Sequence, residues 1–396
     1  MNAVLQPLAA ADRNERPLPE LPRAAPARVA LLGTGTVGSG VLRRLAQWQG
    51  TDLGERLRLV HVANSRHACG DPAGLPPLAA ARQLHARGRI AMLESIAPAL
   101  AGQGVRIVVD ATASDAVAAR HASWLAQGIH VVTACKLGQG TSLARCREIR
   151  AACVAGDSRY GDSATVGAGL PLLRSIRELR AGGDGIHAIA GVLSGSLAWL
   201  FHHYDGLRPF SGFVREARDA GYTEPDPRED LSGEDVRRKL LILARAAGIE
   251  LETAAVAAES LVPVALAQLD RDAVDAALPQ LDAPLRARYA AAYKHGEKLR
   301  FVARLDCRAD GAVAARVGLE SLSAGHPLGG GAGTDNRVAI WSDRYREQPL
   351  LIQGPGAGAE VTAAALLDDA LAVVRRIDQA AAAAKNASIG CGCRNT

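Results

Sequence analysis

Arg28-Val29-Ala30-Leu31-Leu32-Gly33-Thr34-Gly35-Thr36-Val37-Gly38 is an apolar run that ends in three glycines spaced G-x-G-x-x-G. A helical pattern follows from Val37 to about Trp48. Between a strand and a helix, the first glycine permits a tight turn and the second lets backbone approach a pyrophosphate. The third lets helix and strand pack closely. The helix N-terminus adds free amides and the positive end of a dipole. Gly33, Gly35, Thr36, Val37 and Gly38 are therefore candidate dinucleotide-binding residues, and the fold class they point to is α/β, with a Rossmann-type domain.

Outward from this loop, strand and helix patterns alternate as in a parallel sheet with right-handed crossovers. Leu57 to Ala63 is a second strand, ending in Asn64-Ser65-Arg66. A carboxylate at that point would hold the 2′-hydroxyl of NAD, whereas Arg66 suits the 2′-phosphate of NADP. Gly70 to Gly104 carries little signal beyond loop and helix. Val105 to Asp110 is another buried strand, and it delivers Thr112 and Ala113 to the cofactor edge of the sheet. Gly128 to Thr133 is the next strand and delivers Cys135 and Lys136.

A second region starts near Ser158, with Ala164 to Pro171 as a tight small-residue segment and a helix from Leu172 to Arg180. Gly185 to Leu193 reads as a strand ending in Ser194-Gly195-Ser196, before a helix from Leu197 to Tyr204. Phe301 to Asp306 and Ala312 to Leu319 read as later strands, so this is an α+β domain with a mixed sheet. His326 to Asn336 is a glycine-rich loop in which the histidine is structural. Gly354 to Gly358 leads into a helix that ends near Ala384. The expected division is a disordered leader (1–27), a nucleotide-binding domain (28–157) and a second domain (158–344). A segment returning to the first domain (345–384) and a flexible tail (385–396) complete it.

Between those strands lies Tyr222-Thr-Glu224-Pro-Asp-Pro-Arg-Glu-Asp230-Leu-Ser-Gly-Glu-Asp235-Val-Arg-Arg-Lys239. Pro225 and Pro227 stiffen a turn rich in carboxylates. Ser232 and Gly233 can open a helix whose first turn holds Glu234 and Asp235, where the dipole favours negative charge. Asp235 and Lys239 share a helix face at i,i+4. Leu240 to Leu243 must be buried, so the acid and the amine line the wall of a pocket.

The totals exclude several classes. The 396 residues with 48% hydrophobic content allow two or three cored domains. A net charge of +5 and 4% aromatics argue against a nucleic-acid surface. No window reaches the roughly 20 apolar residues of a membrane span, and the N-terminus shows no export signal. Seven cysteines form no paired or zinc-binding pattern, so a reduced, cytoplasmic protein is expected.

Three further motifs, Val166 to Pro171 (V-G-A-G-L-P), Gly191 to Leu197 (G-V-L-S-G-S-L) and Gly221 to Leu240, carry a resemblance. With the later H-P-L, T-D-N and G-P-G-A-G segments in order, the chain from about Arg28 to Ile377 resembles homoserine dehydrogenase, above all the dehydrogenase half of bifunctional aspartokinase–homoserine dehydrogenases. The resemblance implies interconversion of L-homoserine and L-aspartate 4-semialdehyde with NADP or NAD, in threonine, methionine and isoleucine biosynthesis, by a homodimer. It implies Asp235 and Lys239 as a catalytic pair, with Lys136 between nicotinamide and substrate. Glu224, Asp230, Ser196 and Tyr222 stand with the substrate, and Gly358 with the cofactor. A sodium or potassium ion on the backbone carbonyls of Val166 and Ala168 is also implied. Two positions depart from the family pattern: Cys135 replaces an asparagine, and Ser163 replaces a carboxylate of the cation segment. Neither end of the chain carries the pattern of a regulatory domain, so allosteric inhibition by threonine is not expected.

The residue types suit the reaction. Hydride transfer needs the ring held against the substrate carbon. The oxygen that gains charge needs a proton donor or a cation, a role open to Lys136 or Lys239, with Asp235 orienting the amine or a water. A zwitterionic substrate needs carboxylates for its ammonium, and Glu224 supplies one. A different amino-acid dehydrogenase and a silent nucleotide-binding homologue are the alternatives.

Overall fold

The computed structural model describes residues 25–308, 310–331 and 333–392. The leader up to residue 24 and the last four residues of the tail lie outside them. Two sheets organise the chain. The first has seven strands: β1 (Ala27–Leu32), β2 (Leu57–Ala63), β3 (His67–Gly70), β4 (Arg89–Ile90), β5 (Arg106–Asp110), β6 (His130–Thr133) and β7 (Tyr160–Gly161), in the order β4-β3-β2-β1-β5-β6-β7. All six residues of β1 are buried, as a central parallel strand covered on both faces requires. One face packs Val29 and Leu31 against α1 (Thr36–Gln47); the other packs Ala30 and Leu32 towards α2 (His121–Ala126), whose Trp124 and Leu125 are buried.

The sheet is not parallel throughout, as the sequence pattern suggested. β3 runs antiparallel to β2, and β4 antiparallel to β3. Only Asn64, Ser65 and Arg66 separate β2 from β3, and the Asn64 Oδ1 accepts from the backbone N–H of Arg66 (2.8 Å) and of His67 (2.7 Å). That side-chain turn reverses the chain, whereas a parallel return needs about a dozen residues or more. The stretch from Gly70 to Gly104, read as loop and helix, thus also holds an edge strand. β7 lies three residues beyond the expected domain boundary at 157 and pairs with β6.

The second sheet comprises β8 (Ile186–Val192), β9 (Val256–Ala258), β10 (Lys298–Cys307), β11 (Val313–Leu322), β12 (Asp335–Ser342) and β13 (Leu350–Pro355). Its order is β13-β12-β8-β10-β11-β9, mixed, with only the β9–β11 pair parallel. Three of these strands were anticipated; β9, β12 and β13 were not. On this sheet lie α3 (Leu172–Ala181), α4 (Gly195–His203) and α5 (Glu234–Ala246). Leu240, Leu241, Ile242 and Leu243 of α5 are all fully buried in that core.

The last helix, α6 (Ala359–Gly392), leaves the second sheet and packs on α1, burying Ala363, Leu366, Leu367 and Ala370 with Val41 and Leu45. It was expected to end near Ala384 and instead runs to Gly392. Five successive alanines, 380 to 384, followed by lysine, supply strong helix propensity, and no proline follows within the helix. No helix among the described residues is long and apolar enough to cross a membrane.

Candidate active site

The glycine loop has the shape of a phosphate cradle. Gly33 has φ +93°, and a Cβ there would lie 2.8 Å from the Ala111 carbonyl oxygen. A Cβ on Gly38 would sit 1.9 Å from the Gly33 carbonyl oxygen, so α1 can approach the loop only without a side chain. A Cβ on Gly35 would meet no atom within 4 Å, so this glycine borders open space. Gly35 is also the N-cap of α1, makes no side-chain cap, and no acid occupies the first turn. The first amides therefore face that space with no side chain competing for them. Thr112 abuts the same loop, its methyl 3.1 Å from where a Gly33 Cβ would be. Gly358 has φ +129° and precedes α6. Arg66 is exposed beyond the end of β2. These features fit a dinucleotide.

Thr112 and Thr133 are held by a buried carboxylate that the sequence reading passed over. Asp110, at the end of β5, is fully buried. Its Oδ1 accepts from the Thr112 amide (2.9 Å) and hydroxyl (2.6 Å); its Oδ2 accepts from the Thr133 hydroxyl (3.0 Å) and faces His121 Nε2 (3.1 Å). Because a carboxylate only accepts, Nε2 carries a proton, and His121 Nδ1 lies 3.0 Å from the Tyr160 hydroxyl. The Thr133 hydroxyl in turn accepts from the Cys135 amide (2.8 Å), one residue before Lys136. The signal was present in an aspartate at the carboxyl end of a central strand. Cys135 itself is inert: burial, with Asp110 nearby, pushes its thiol up to about 11.

Across from this edge, Lys136, Asp235 and Lys239 form one ionic trio. Lys136 Nζ lies 3.2 Å from Asp235 Oδ1, and Lys239 Nζ lies 2.9 Å from Asp235 Oδ2. Lys239 also donates to the Leu193 carbonyl at the end of β8 (2.7 Å). An ammonium has three donors; two are engaged, and one remains for a substrate oxygen. The Asp235 side chain is 44% exposed and Lys136 32%, while Lys239 is only 10% exposed. The pair is therefore a cleft wall rather than a solvated surface bridge. Burial works against the charge of Asp235, yet the two ammoniums outweigh it and hold its carboxyl well below the usual carboxylate range. Burial lowers the pKa of Lys239, with Asp235 opposing. Only five of the 46 basic residues are lysine, and two of the five stand here. An arginine would stay protonated, whereas lysine can give up its proton when desolvated.

The acidic turn stands beside the trio. Asp230 accepts from the Glu224 amide (2.8 Å) through Oδ2 and from the Ser196 hydroxyl (2.7 Å) through Oδ1. Ser194, the N-cap of α4, contacts Ser196 Oγ at 2.8 Å. Asp226 is tied to Arg228 (2.6 Å). The Glu224 side chain is exposed, and Tyr222 is 45% exposed with its ring beside Trp199 (5.4 Å). Asp230 thus shapes the turn, while Glu224 and Glu229 are exposed. Gly233 caps α5 with φ +74°, where a Cβ would strike the Phe301 ring.

The segment expected to hold a monovalent cation is differently built. Val166 and Ala168 are buried, Ala168 with φ +50°. Asp162 is paired twice with Arg177 (2.6 and 2.7 Å), and Asp369 of α6 accepts from the Ser163 amide and hydroxyl (2.9 and 2.8 Å). Both nearby carboxylates are therefore engaged, so neither is free to serve as a ligand beside the carbonyls of Val166 and Ala168. Among the described residues no three His, Cys, Asp or Glu side chains form a metal cluster. His326 accepts from the Leu328 amide (3.1 Å) within its loop. A groove of about 530 Å³ beside Glu259 and Arg316, on the β9–β11 edge, touches none of the trio.

Known proteins match the chain across both of its sheets. Residues 33–160 match the family model "Homoserine dehydrogenase, NAD binding domain", and residues 171–371 match "Homoserine dehydrogenase". The chain is 37% identical over 352 residues to bifunctional aspartokinase/homoserine dehydrogenase 2 of Zea mays, 87% of this chain but only 38% of that protein's length. It is 34% identical over 374 residues to homoserine dehydrogenase of Emericella nidulans, covering 89% of this chain and all of that protein. A Candida auris protein of unknown function superposes with a TM-score of 0.81 at 32% identity, over 89% of this chain and 99% of that one. A hyperthermophilic archaeal homoserine dehydrogenase in complex with NADPH shares the fold at a TM-score of 0.67 and 20% identity, over 88% and 98%. A nicotinamide-cofactor domain, a second domain matched in register and a fungal relative covered end to end lead to one assignment: the chain belongs to the homoserine dehydrogenase family.

Proposed function

We propose that the chain interconverts L-homoserine and L-aspartate 4-semialdehyde, with NADP(H) preferred over NAD(H). The observation that carries this reading is the trio Lys136–Asp235–Lys239, set where the phosphate-loop domain meets the acidic turn. Gly33, Gly35, Thr36, Val37 and Gly38 would hold the pyrophosphate, Arg66 the 2′-phosphate, and Thr112, Ala113 and Gly358 the rest of the cofactor. Bound there, a nicotinamide supplies or accepts the hydride. The remaining donor of Lys239 meets the substrate oxygen: it gives a proton as an alcohol forms and takes one as the alcohol is oxidised. Asp235 keeps both ammoniums oriented, and Lys136 adds positive charge on the cofactor side. Glu224 receives the substrate ammonium, with Ser196, Asp230 and Tyr222 shaping that end of the pocket. No step is routed through a cation at Val166 and Ala168.

A homodimer, a cytoplasmic location and a place in threonine, methionine and isoleucine biosynthesis belong to the same reading. It is supported by the family and, for the location, by free Cys69, Cys135, Cys146, Cys153 and Cys307. The test is reduced-nicotinamide absorbance with homoserine and each cofactor, with light scattering for the assembly. No turnover with homoserine and either cofactor would favour the silent homologue, for which Cys135 and Ser163 are the motive.

A further inference from the structure

Arg245 lies on α5 ten residues after Asp235 and is 1% exposed. Among the described residues it makes no direct ion pair, and Glu252 is the carboxylate whose charge it feels. Its guanidinium is spent on carbonyls instead: Nη1 donates to Gln139, and Nη2 to Thr141 (2.7 Å) and Leu251 (2.9 Å). A buried cation without a direct ion pair is costly, so what it grips matters. Gln139 and Thr141 belong to the loop that follows Lys136. That loop also touches α5 midway, where a Cβ on Gly140 would lie 3.1 Å from Arg238 Cβ and 3.2 Å from its carbonyl oxygen. The loop therefore meets the helix at Asp235, at Arg238 and at Arg245, a span of about 15 Å at 1.5 Å per residue.

We propose that Arg245 is a positioning residue for the site, registering residues 137–141 on α5 so that Lys136 reaches Asp235. The inference rests on the reading of Lys136 as part of the catalytic machinery. Beside Arg245, Thr253 Oγ1 donates to the Thr141 carbonyl (3.0 Å) and Arg145 Nη1 to the Leu137 carbonyl (3.1 Å) at the two ends of the loop, and the remaining anchor is the Lys136–Asp235 pair. Both of its side chains are about a third or more exposed, and ion pairs of that kind contribute little. A lysine stem also has too much freedom to locate a loop. A planar fork that reaches three carbonyls from two nitrogens fixes position, and it keeps its charge when buried. Asp235, Lys239 and Arg245 share one helix, so the grip at its far end sets the geometry at its near end.

The chain's five lysines make the test clean. Purified wild type, Arg245→Lys, Arg245→Met and Gly140→Ala are treated briefly with an acylating reagent, and the labelling of Lys136 is read by mass spectrometry against Lys294 and Lys298. Gly140→Ala attacks the same contact from the loop side, because its Cβ would also press on the Lys136 carbonyl at 2.7 Å. The variants should label Lys136 several-fold faster. In homoserine turnover they should lose about tenfold to a hundredfold in kcat, the scale of an ångström-sized misplacement, with a smaller change in KM for the cofactor. In a Lys136→Met background the Arg245→Lys loss should largely vanish, because both changes remove one interaction. Unchanged Lys136 labelling in folded Arg245→Lys, together with losses that multiply in the double variant, would overturn the proposal. If wild type lacks turnover while labelling rises as expected, the positioning role stands and the proposed reaction falls.

Discussion

The phosphate loop at Gly33–Gly38 and the acidic turn leading to Lys239 are both short motifs, yet they are built in opposite ways. The loop gets its shape from missing side chains: Gly38 has no room for a Cβ, and Gly35 borders a space left open. The turn gets its shape from charge that is bound up. Asp230 holds the Glu224 amide and the Ser196 hydroxyl, Asp226 holds Arg228, and Asp235 holds two lysines. One region cannot accept an added atom, and the other cannot lose a charge.

The largest effect should come from the second kind of change. Lys239→Ala should lower kcat by about a thousandfold, within the range of general acid–base catalysis, with circular dichroism unchanged. Lys239→Arg should be nearly as poor, because a guanidinium does not release its proton; recovery by arginine would mean that charge alone suffices. Within the loop, Gly38→Ala should cost about a hundredfold in NADPH affinity by fluorescence titration and lower Tm as well. Gly35→Ala should weaken NADPH and leave Tm alone. Equal loss of Tm in both would erase the distinction between crowding and openness.

Asp230→Asn should raise KM for homoserine by about tenfold and cost about 1 kcal/mol of stability, the scale of one ordinary hydrogen bond, because the amide keeps one acceptor oxygen. An unchanged KM would remove Asp230 from the pocket wall. A pH profile sharpens the same side. Burial disfavours the Lys239 ammonium, so its folded pKa lies below the ordinary lysine value. The neutral base then exists at lower pH than for a free lysine, and homoserine oxidation should rise with pH through an apparent pKa below that value. A pKa at or above it would point to another base. The smallest effect concerns an exposed residue: Arg66→Asp should cut the NADP-over-NAD preference by about tenfold, and an equal change for both cofactors would take Arg66 away from the ribose.

Local signals explain what could be read in advance. The glycine spacing needs no long-range contact to be recognised, and the i,i+4 step from Asp235 to Lys239 places both groups on one face by helix geometry alone. Lys136 joins them through space, at 3.2 Å from a residue 99 positions away, and no periodicity encodes that meeting; the family resemblance supplied it. Asp110, His121 and Tyr160 were missed because three strand-end or helix residues with no shared spacing converge only in the folded sheet. Arg245 lies just past the apolar run Leu240 to Leu243 and carries no local signal of its own. β12 was hidden by the glycine-rich loop in front of it, and β3 and β4 by their shortness.

The closing helix has a consequence for how the chain is made. Val41 and Leu45 of α1 are buried against residues near 363 to 374, so the nucleotide-binding half lacks a wall until the far end of the chain exists. At roughly 5–20 residues per second, a ribosome leaves that apolar stripe uncovered for some tens of seconds. During that interval the second sheet, whose strands and helices all lie between residues 172 and 355, can complete its own core. The domain that begins first is then the one that finishes last, and its birth is a period of exposure to chaperones and to misassociation.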